Sequence, residues 1–175
     1  TKSDASPIPP TGSTSDAIAV SGLSYRYDDG DAPVFENLSL RVAEGEIVAL
    51  MGANGAGKTT LARLLCALDR PSAGSITVAG LPVASSKHGK RPRALTRKER
   101  AALRRNVGYV MQHPERQLFA DTVAEDVAYG PRNQGLGETE VADRVRESLE
   151  LLHIGHLADR SPFDLSGGQQ RLAAI

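Results

Sequence analysis

An α/β fold, with strands alternating with helices, is predicted by three observations. The apolar run Ile47-Val48-Ala49-Leu50-Met51 passes through glycines into a helical rhythm of Leu61, Leu64, Leu65 and Leu68. Short β-type segments precede and follow that unit, and a second amphipathic stretch, Val141, Val145, Leu149 and Leu152, comes later. The chain has 175 residues, 40% of them hydrophobic and 17 of them glycine, with zero net charge. Such a composition suits one globular domain and excludes a disordered, collagenous or supercharged chain.

The elements follow in order. Residues 1–17 read as a disordered tail, because Pro7, Pro9 and Pro10 stand among Ser and Thr with little to bury. Ile18 and Val20, then Leu38, Leu40 and Val42, alternate with period two, which predicts half-buried strands. Asp28 to Asp31 between them is a turn. Ile47 to Met51, continuously apolar, reads as a central parallel strand buried on both faces. Gly57 to Leu68 reads as a helix ended by Pro71 and Gly74. Ile76 to Val78 and Val107 to Met111 are further strands, and the second helix ends near Gly155. That order places the glycine-rich turn at the carboxyl edge of a sheet, where ligands bind. The single cysteine, Cys66, fits a reducing compartment. No apolar run approaches the roughly 18 residues of a membrane span.

Gly52-Ala53-Asn54-Gly55-Ala56-Gly57-Lys58-Thr59 matches the pattern G-x-x-x-x-G-K-[ST]. Its glycines let successive N–H groups curl around an anion, and the helix that follows adds its positive end. Lys58 is placed to reach β- and γ-phosphates, and the Thr59 hydroxyl to take a position on Mg²⁺. This composition yields about 0.006 such matches by chance. A second motif, Leu165-Ser166-Gly167-Gly168-Gln169, arises by chance about 0.0004 times. Ser166 and the two glycines open a helix through Arg171 and Leu172.

In this order the two motifs resemble the nucleotide-binding subunit of the ATP-binding-cassette (ABC) family. The first is similar to its Walker A and the second to its signature motif. The resemblance implies a P-loop NTPase: an ABC-type nucleotide-binding domain with an N-terminal antiparallel β subdomain and a helical signature subdomain, spanning residues 18–175. It implies that Tyr27 stacks on adenine, and that Gly52, Ala53, Asn54, Gly55, Ala56, Gly57, Lys58, Thr59 and Thr60 hold ATP. Gln112 matches the Q-loop glutamine, touching Mg²⁺ or the attacking water. Two subunits, identical or paralogous, pair head to tail, so that Ser166, Gly167, Gly168 and Gln169 meet the partner's γ-phosphate. Lys58 and Gln112 are the catalytic candidates, and Thr59 and Gln112 the Mg²⁺ candidates.

The stretch from His113 to Phe119, with Thr122 to Pro131, Asn133 and Gly135-Leu136, is similar to the ATPases of energy-coupling factor transporters, which import vitamins or metal ions such as cobalt. That likeness implies a transmembrane partner, a peripheral place on the cytoplasmic face of the membrane, and docking near Leu118 and Phe119, taken as an exposed apolar pair. Residues 87–105 carry nine Lys or Arg against Glu99 alone. They read as a solvated insertion plus helix, with anionic lipid or nucleic acid as other readings and no direct nucleic-acid partner expected. His88, His153 and His156 have no partners at metal-ligand spacing.

The family's next elements are a strand ending in Asp then Glu, and a switch histidine. Neither follows Ile175, so the chain is expected to be a truncated part of a longer ATPase, inactive by itself. Two alternatives stand beside a transport ATPase: a soluble ABC ATPase acting on nucleic acid or ribosomes, and a non-catalytic nucleotide-binding fragment.

Overall fold

A computed structural model describes residues 15–27, 32–86 and 91–175. The chain divides into two units at Gly108/Tyr109.

In the first unit, β1 (Asp16–Tyr25), β2 (Phe35–Ala43), β3 (Ala73–Val78) and β4 (Leu81–Ser85) form one sheet in the order β2-β1-β3-β4. Every pairing is antiparallel. β1 runs centrally, with Val20 opposite Leu40 on one side and Ile76 on the other. Val20, Leu23 and Tyr25 turn into a core with Ile76 and Val78. Helix α1 (Lys58–Leu65) closes that core with Leu61 and Leu64. Burying each such side chain contributes about 1.5–3 kcal/mol. β3 approaches β1 so closely that a Cβ on Gly74 (φ +92°) would lie 2.5 Å from the Gly22 carbonyl oxygen. Only glycine fits there.

Helix α2 (Arg97–Asn106) buries Leu103 and starts with a capping box. Thr96 Oγ1 accepts from the Glu99 N–H, and the Glu99 carboxylate accepts from the Thr96 N–H. Hydrogen bonding from Arg93, then from Thr96, holds the Glu99 carboxyl down to about 2, against an ordinary value of 4.5. A depressed carboxylate stabilises the fold above its unfolded pKa and loses that contribution as pH falls through the folded one. The melting-temperature gap between wild type and Glu99→Gln is therefore expected to be full above pH 4.5 and to close towards pH 2. Thermal melts across that range check it.

The second unit holds α3 (Val123–Asn133), α4 (Glu138–Leu151) and α5 (Gly167–Ala173), with 3-10 turns at Pro114–Gln117, Gly155–Leu157 and Pro162–Asp164. Val123, Val141, Leu149, Leu157 and Leu165 are buried together. Thr122 caps α3 by accepting from the Glu125 N–H. The predicted second helix is α4, with Val141, Val145 and Leu149 on its buried face.

Several expectations are corrected. Ile47 to Met51 forms no strand, and Ile47 is 99% and Met51 87% exposed. Val107 to Met111 forms no strand either, and Val110 and Met111 are exposed. An apolar run becomes a strand only where a neighbour completes its hydrogen-bond ladder. Among the described residues neither segment has one, so the parallel sheet expected around them is not formed there. The first helix is shorter than predicted, ending at Leu65, because Ala67 turns left-handed (φ 54°) and Leu68 is exposed. Strand β1 starts at Asp16, inside the expected tail. The rest of that tail, residues 1–14, the predicted turn at 28–31, and His88 lie outside the described residues.

Candidate functional site

The loop from Gly52 to Gly57 leads directly into α1, whose N-cap is Gly57 in the left-handed region (φ 86°) with no side-chain cap. The first intrahelical bond runs from the Leu61 N–H to the Gly57 carbonyl. The N–H groups of Lys58, Thr59 and Thr60 precede it, and so remain available to an anion. A Cβ on Gly57 would sit 2.7 Å from the Phe35 ring and 2.8 Å from Val34 Cγ1. The strand β2 thus backs the loop, and the loop has room only for bare backbone at this point.

The Lys58 ammonium folds over the loop, donating to the carbonyls of Gly52 and Ala53 at 2.8 Å each. Those bonds hold the charge against the loop rather than in solvent. The hydroxyl-bearing Thr59 is exposed, whereas Thr60 is 5% exposed. The Thr60 hydroxyl lies 2.7 Å from the Tyr27 hydroxyl. These features fit a triphosphate with its magnesium: a glycine cradle, a fixed cation, free N–H donors and one exposed hydroxyl for the metal. Tyr27, the family's adenine-stacking candidate, thus stands beside the phosphate loop in the same unit.

In the second unit, Ser166 caps α5: its Oγ accepts from the Gln169 N–H, and Gln169 Oε1 accepts from the Ser166 N–H. Ser166, Gly167 and Gly168 are exposed. The Gln169 side chain is therefore occupied at its oxygen by the helix start. Gln112 is exposed just ahead of the 114–117 turn. Glu115, three residues on, lies 3.4 Å from Arg171 of α5 and 3.3 Å from His113. The Glu115 carboxyl is held below its ordinary value by its own backbone N–H first, then by His113 and Arg171. The Gln112 segment and the signature helix are thereby joined by one ion pair.

The expected apolar pair at 118–119 is half corrected. Leu118 is 8% exposed, in the core, whereas Phe119 is 58% exposed. The partner of Phe119 is Tyr129 of α3, edge to face at 4.9 Å and itself 55% exposed. The Asp126 carboxylate accepts from the N–H groups of Phe119 and Ala120 at 2.8 Å, which fixes the loop that presents the ring. A groove of about 410 Å³ opens between Phe119, Val127, Tyr129, Leu152 and Leu172. Asp126 and Tyr129 lie in the 122–131 stretch singled out in the sequence, which gave neither of them a role of its own. The Thr122-x-x-Glu125 spacing, a helix-start pattern, is the signal that could have placed Asp126 in the first turn of a helix and Tyr129 one turn further on.

Loop, lysine and uncapped helix define a nucleotide-binding domain of the ABC ATPase fold, with a four-stranded antiparallel sheet and a separate helical unit. The profile of the family described as ABC transporter matches residues 35–175, and the chain belongs to that family. It is 73% identical over 165 residues to a putative ABC transporter ATP-binding protein of Bifidobacterium longum, covering 93% of this chain and 21% of the relative. It is 42% identical over 158 residues to the energy-coupling factor transporter ATP-binding protein EcfA of Methanothermobacter thermautotrophicus, covering 90% of this chain and 47% of that protein. The solved structure of cbiO1 from Clostridium perfringens, described as part of the ABC transporter complex cbiONQ, superposes with a TM-score of 0.74 at 33% identity. That match covers 91% of this chain and 59% of cbiO1. The chain spans from about a fifth to about three fifths of the length of the curated relatives it matches. Among the described residues, no helix is long and apolar enough to cross a membrane.

Proposed function

We propose that this chain belongs to the ATP-binding subunit of an energy-coupling-factor-type importer, which couples MgATP binding and hydrolysis to uptake of a metal ion or vitamin. The phosphate loop carries the reading: Lys58 fixed on the loop carbonyls, beside an α1 N-terminus without a side-chain cap. Phosphoryl transfer needs positioning and neutralised charge more than covalent chemistry from the protein, and the loop supplies both. Magnesium, bound with the triphosphate, supplies further charge neutralisation, with the Thr59 hydroxyl and Gln112 as its protein-side candidates. Ser166, Gly167, Gly168 and Gln169 complete the site of a second subunit across a head-to-tail dimer, identical or paralogous. Nucleotide binding then favours the closed pair, because ATP bridges both motifs.

The membrane partner docks at the second unit, on the cytoplasmic face of the membrane. Phe119 and Tyr129 form the exposed aromatic pair at the rim of the 410 Å³ groove, the kind of surface that receives an amphipathic helix. The double change Phe119→Ser, Tyr129→Ser in the full-length gene product is expected to abolish co-purification with a membrane subunit while ATP affinity stays within twofold. Leu118 is left alone because it is part of the core. Unchanged co-purification would remove the docking assignment, and a wild-type product without saturable MgATP binding would remove the ATPase reading.

A further inference from the structure

Half of the ten residues of α2 are cations: Arg97, Lys98, Arg100, Arg104 and Arg105. At about 100° per residue they fall within an arc of about 160°. All five are exposed, and Ala101 is the only other residue in that arc. Leu103, which packs into the core, and Glu99 lie on the other side. None of the five cations pairs with a described carboxylate. Glu99, the single acid of the helix, is occupied by Arg93 and by the helix cap. The arrangement costs the fold stability. Arg97 and Lys98 stand in the first turn, where the positive end of the helix repels them. Arg100 meets Arg104 one turn on, like charge beside like charge.

We propose that this face of α2 is an electrostatic contact for the anionic headgroups of a lipid bilayer. The inference goes beyond ATP binding and rests on the membrane-peripheral placement proposed above. A bilayer surface is flat and asks only for cations along one side of a straight helix, each adding its own attraction. Ala101 is the largest apolar side chain on the face, so the helix lies among headgroups without entering the hydrocarbon. Nucleic acid fits the same residues less well. From Arg91 to Asn106 there is no aromatic ring to stack on bases. The amide of Asn106, which could read a base edge, donates instead to the Ala102 carbonyl at 2.9 Å. The capping box forms α2 before contact, so the cations are presented as a set. Headgroups on this face also remove the repulsion within the helix.

The test is co-sedimentation of the full-length gene product with two kinds of vesicle: phosphatidylcholine alone, and phosphatidylcholine with phosphatidylglycerol at about three parts in ten. At about 0.1 M salt the wild type is expected to bind only the anionic vesicles, and about 0.5 M salt should release it. The triple variant Arg97→Gln, Arg100→Gln, Arg104→Gln should bind them about a hundredfold more weakly, about fivefold for each cation removed. Arg97→Lys, Arg100→Lys, Arg104→Lys keeps the charge and should bind within about threefold of wild type. The matched triple Arg41→Gln, Arg132→Gln, Arg144→Gln removes as much charge from cations already ion-paired elsewhere, and should keep vesicle affinity. Equal loss in the two Gln triples would overturn the inference, because it marks net charge rather than this face. So would equal binding to both kinds of vesicle, or binding to neither. Tighter binding to a mixed-sequence DNA duplex than to anionic vesicles would overturn it in favour of nucleic acid. MgATP binding on the same samples keeps the readings apart. A wild type that binds MgATP but no vesicle strikes this inference alone, and one that binds anionic vesicles but no MgATP strikes the ATPase reading.

Discussion

Lys58→Ala is expected to raise the Kd for MgATP at least about a hundredfold, with little change in thermal stability. The ammonium is tied to two loop carbonyls at 2.8 Å, so its place does not depend on the ligand. A charge-assisted hydrogen bond to a phosphate oxygen contributes about 1.5–3 kcal/mol, and a lysine over two phosphates makes more than one. About 2.7 kcal/mol already equals a hundredfold. The fold loses little, because the two bonds are exposed and join the first residue of α1 only to the loop directly before it. Isothermal titration and a melting curve on the same sample separate the two effects. An affinity within tenfold of wild type would remove the phosphate-loop assignment.

Gly57→Ala is the change expected to cost both binding and stability. Residue 57 holds φ 86°, a region costing a non-glycine residue about 1–2 kcal/mol. Its new methyl would lie 2.7 Å from the Phe35 ring and 2.8 Å from Val34, so the loop or β2 must move. A shift there moves the N–H groups of residues 58–60, and ATP affinity falls with it. The melting temperature should drop, with MgATP binding weakened more than tenfold. Adding Phe35→Leu should recover part of the stability, since it relieves the contact with the ring and leaves the Val34 contact and the backbone strain. Full recovery would mean that neither the left-handed conformation nor the Val34 contact carries a cost; none would mean that the ring is not the obstacle.

Much of the candidate site's geometry was legible in the sequence because it is local. A phosphate loop is eight consecutive residues whose backbone must curl, and Gly57 and Lys58 stand where the spacing puts them. The same holds for Ser166 with Gln169, a capping box within four residues. Helix α4 was readable because its burial repeats with the helical period. Strand pairing is not local. Ile47 to Met51 has the composition of a buried strand; its exposure agrees with the expectation that these residues lie unpaired when no neighbouring strand completes their ladder, whereas their strand conformation is not formed. Leu118 and Phe119, adjacent and both apolar, go opposite ways for a related reason: the core of the second unit takes one, and Tyr129 packs on the other.

The sequence by itself determined the family, the glycine-rich turn with its lysine proposed as the phosphate loop, the capped turn at Ser166, and the helices with a clear apolar stripe. Each is a pattern within one or two turns of chain, where backbone geometry and capping act directly. Only the tertiary structure decided the antiparallel order β2-β1-β3-β4 and the burial of the Thr60 hydroxyl against Tyr27 while Thr59 stays exposed. Those depend on contacts between residues distant in sequence, such as Tyr27 with Thr60, and on which groups are left to water once the core has closed.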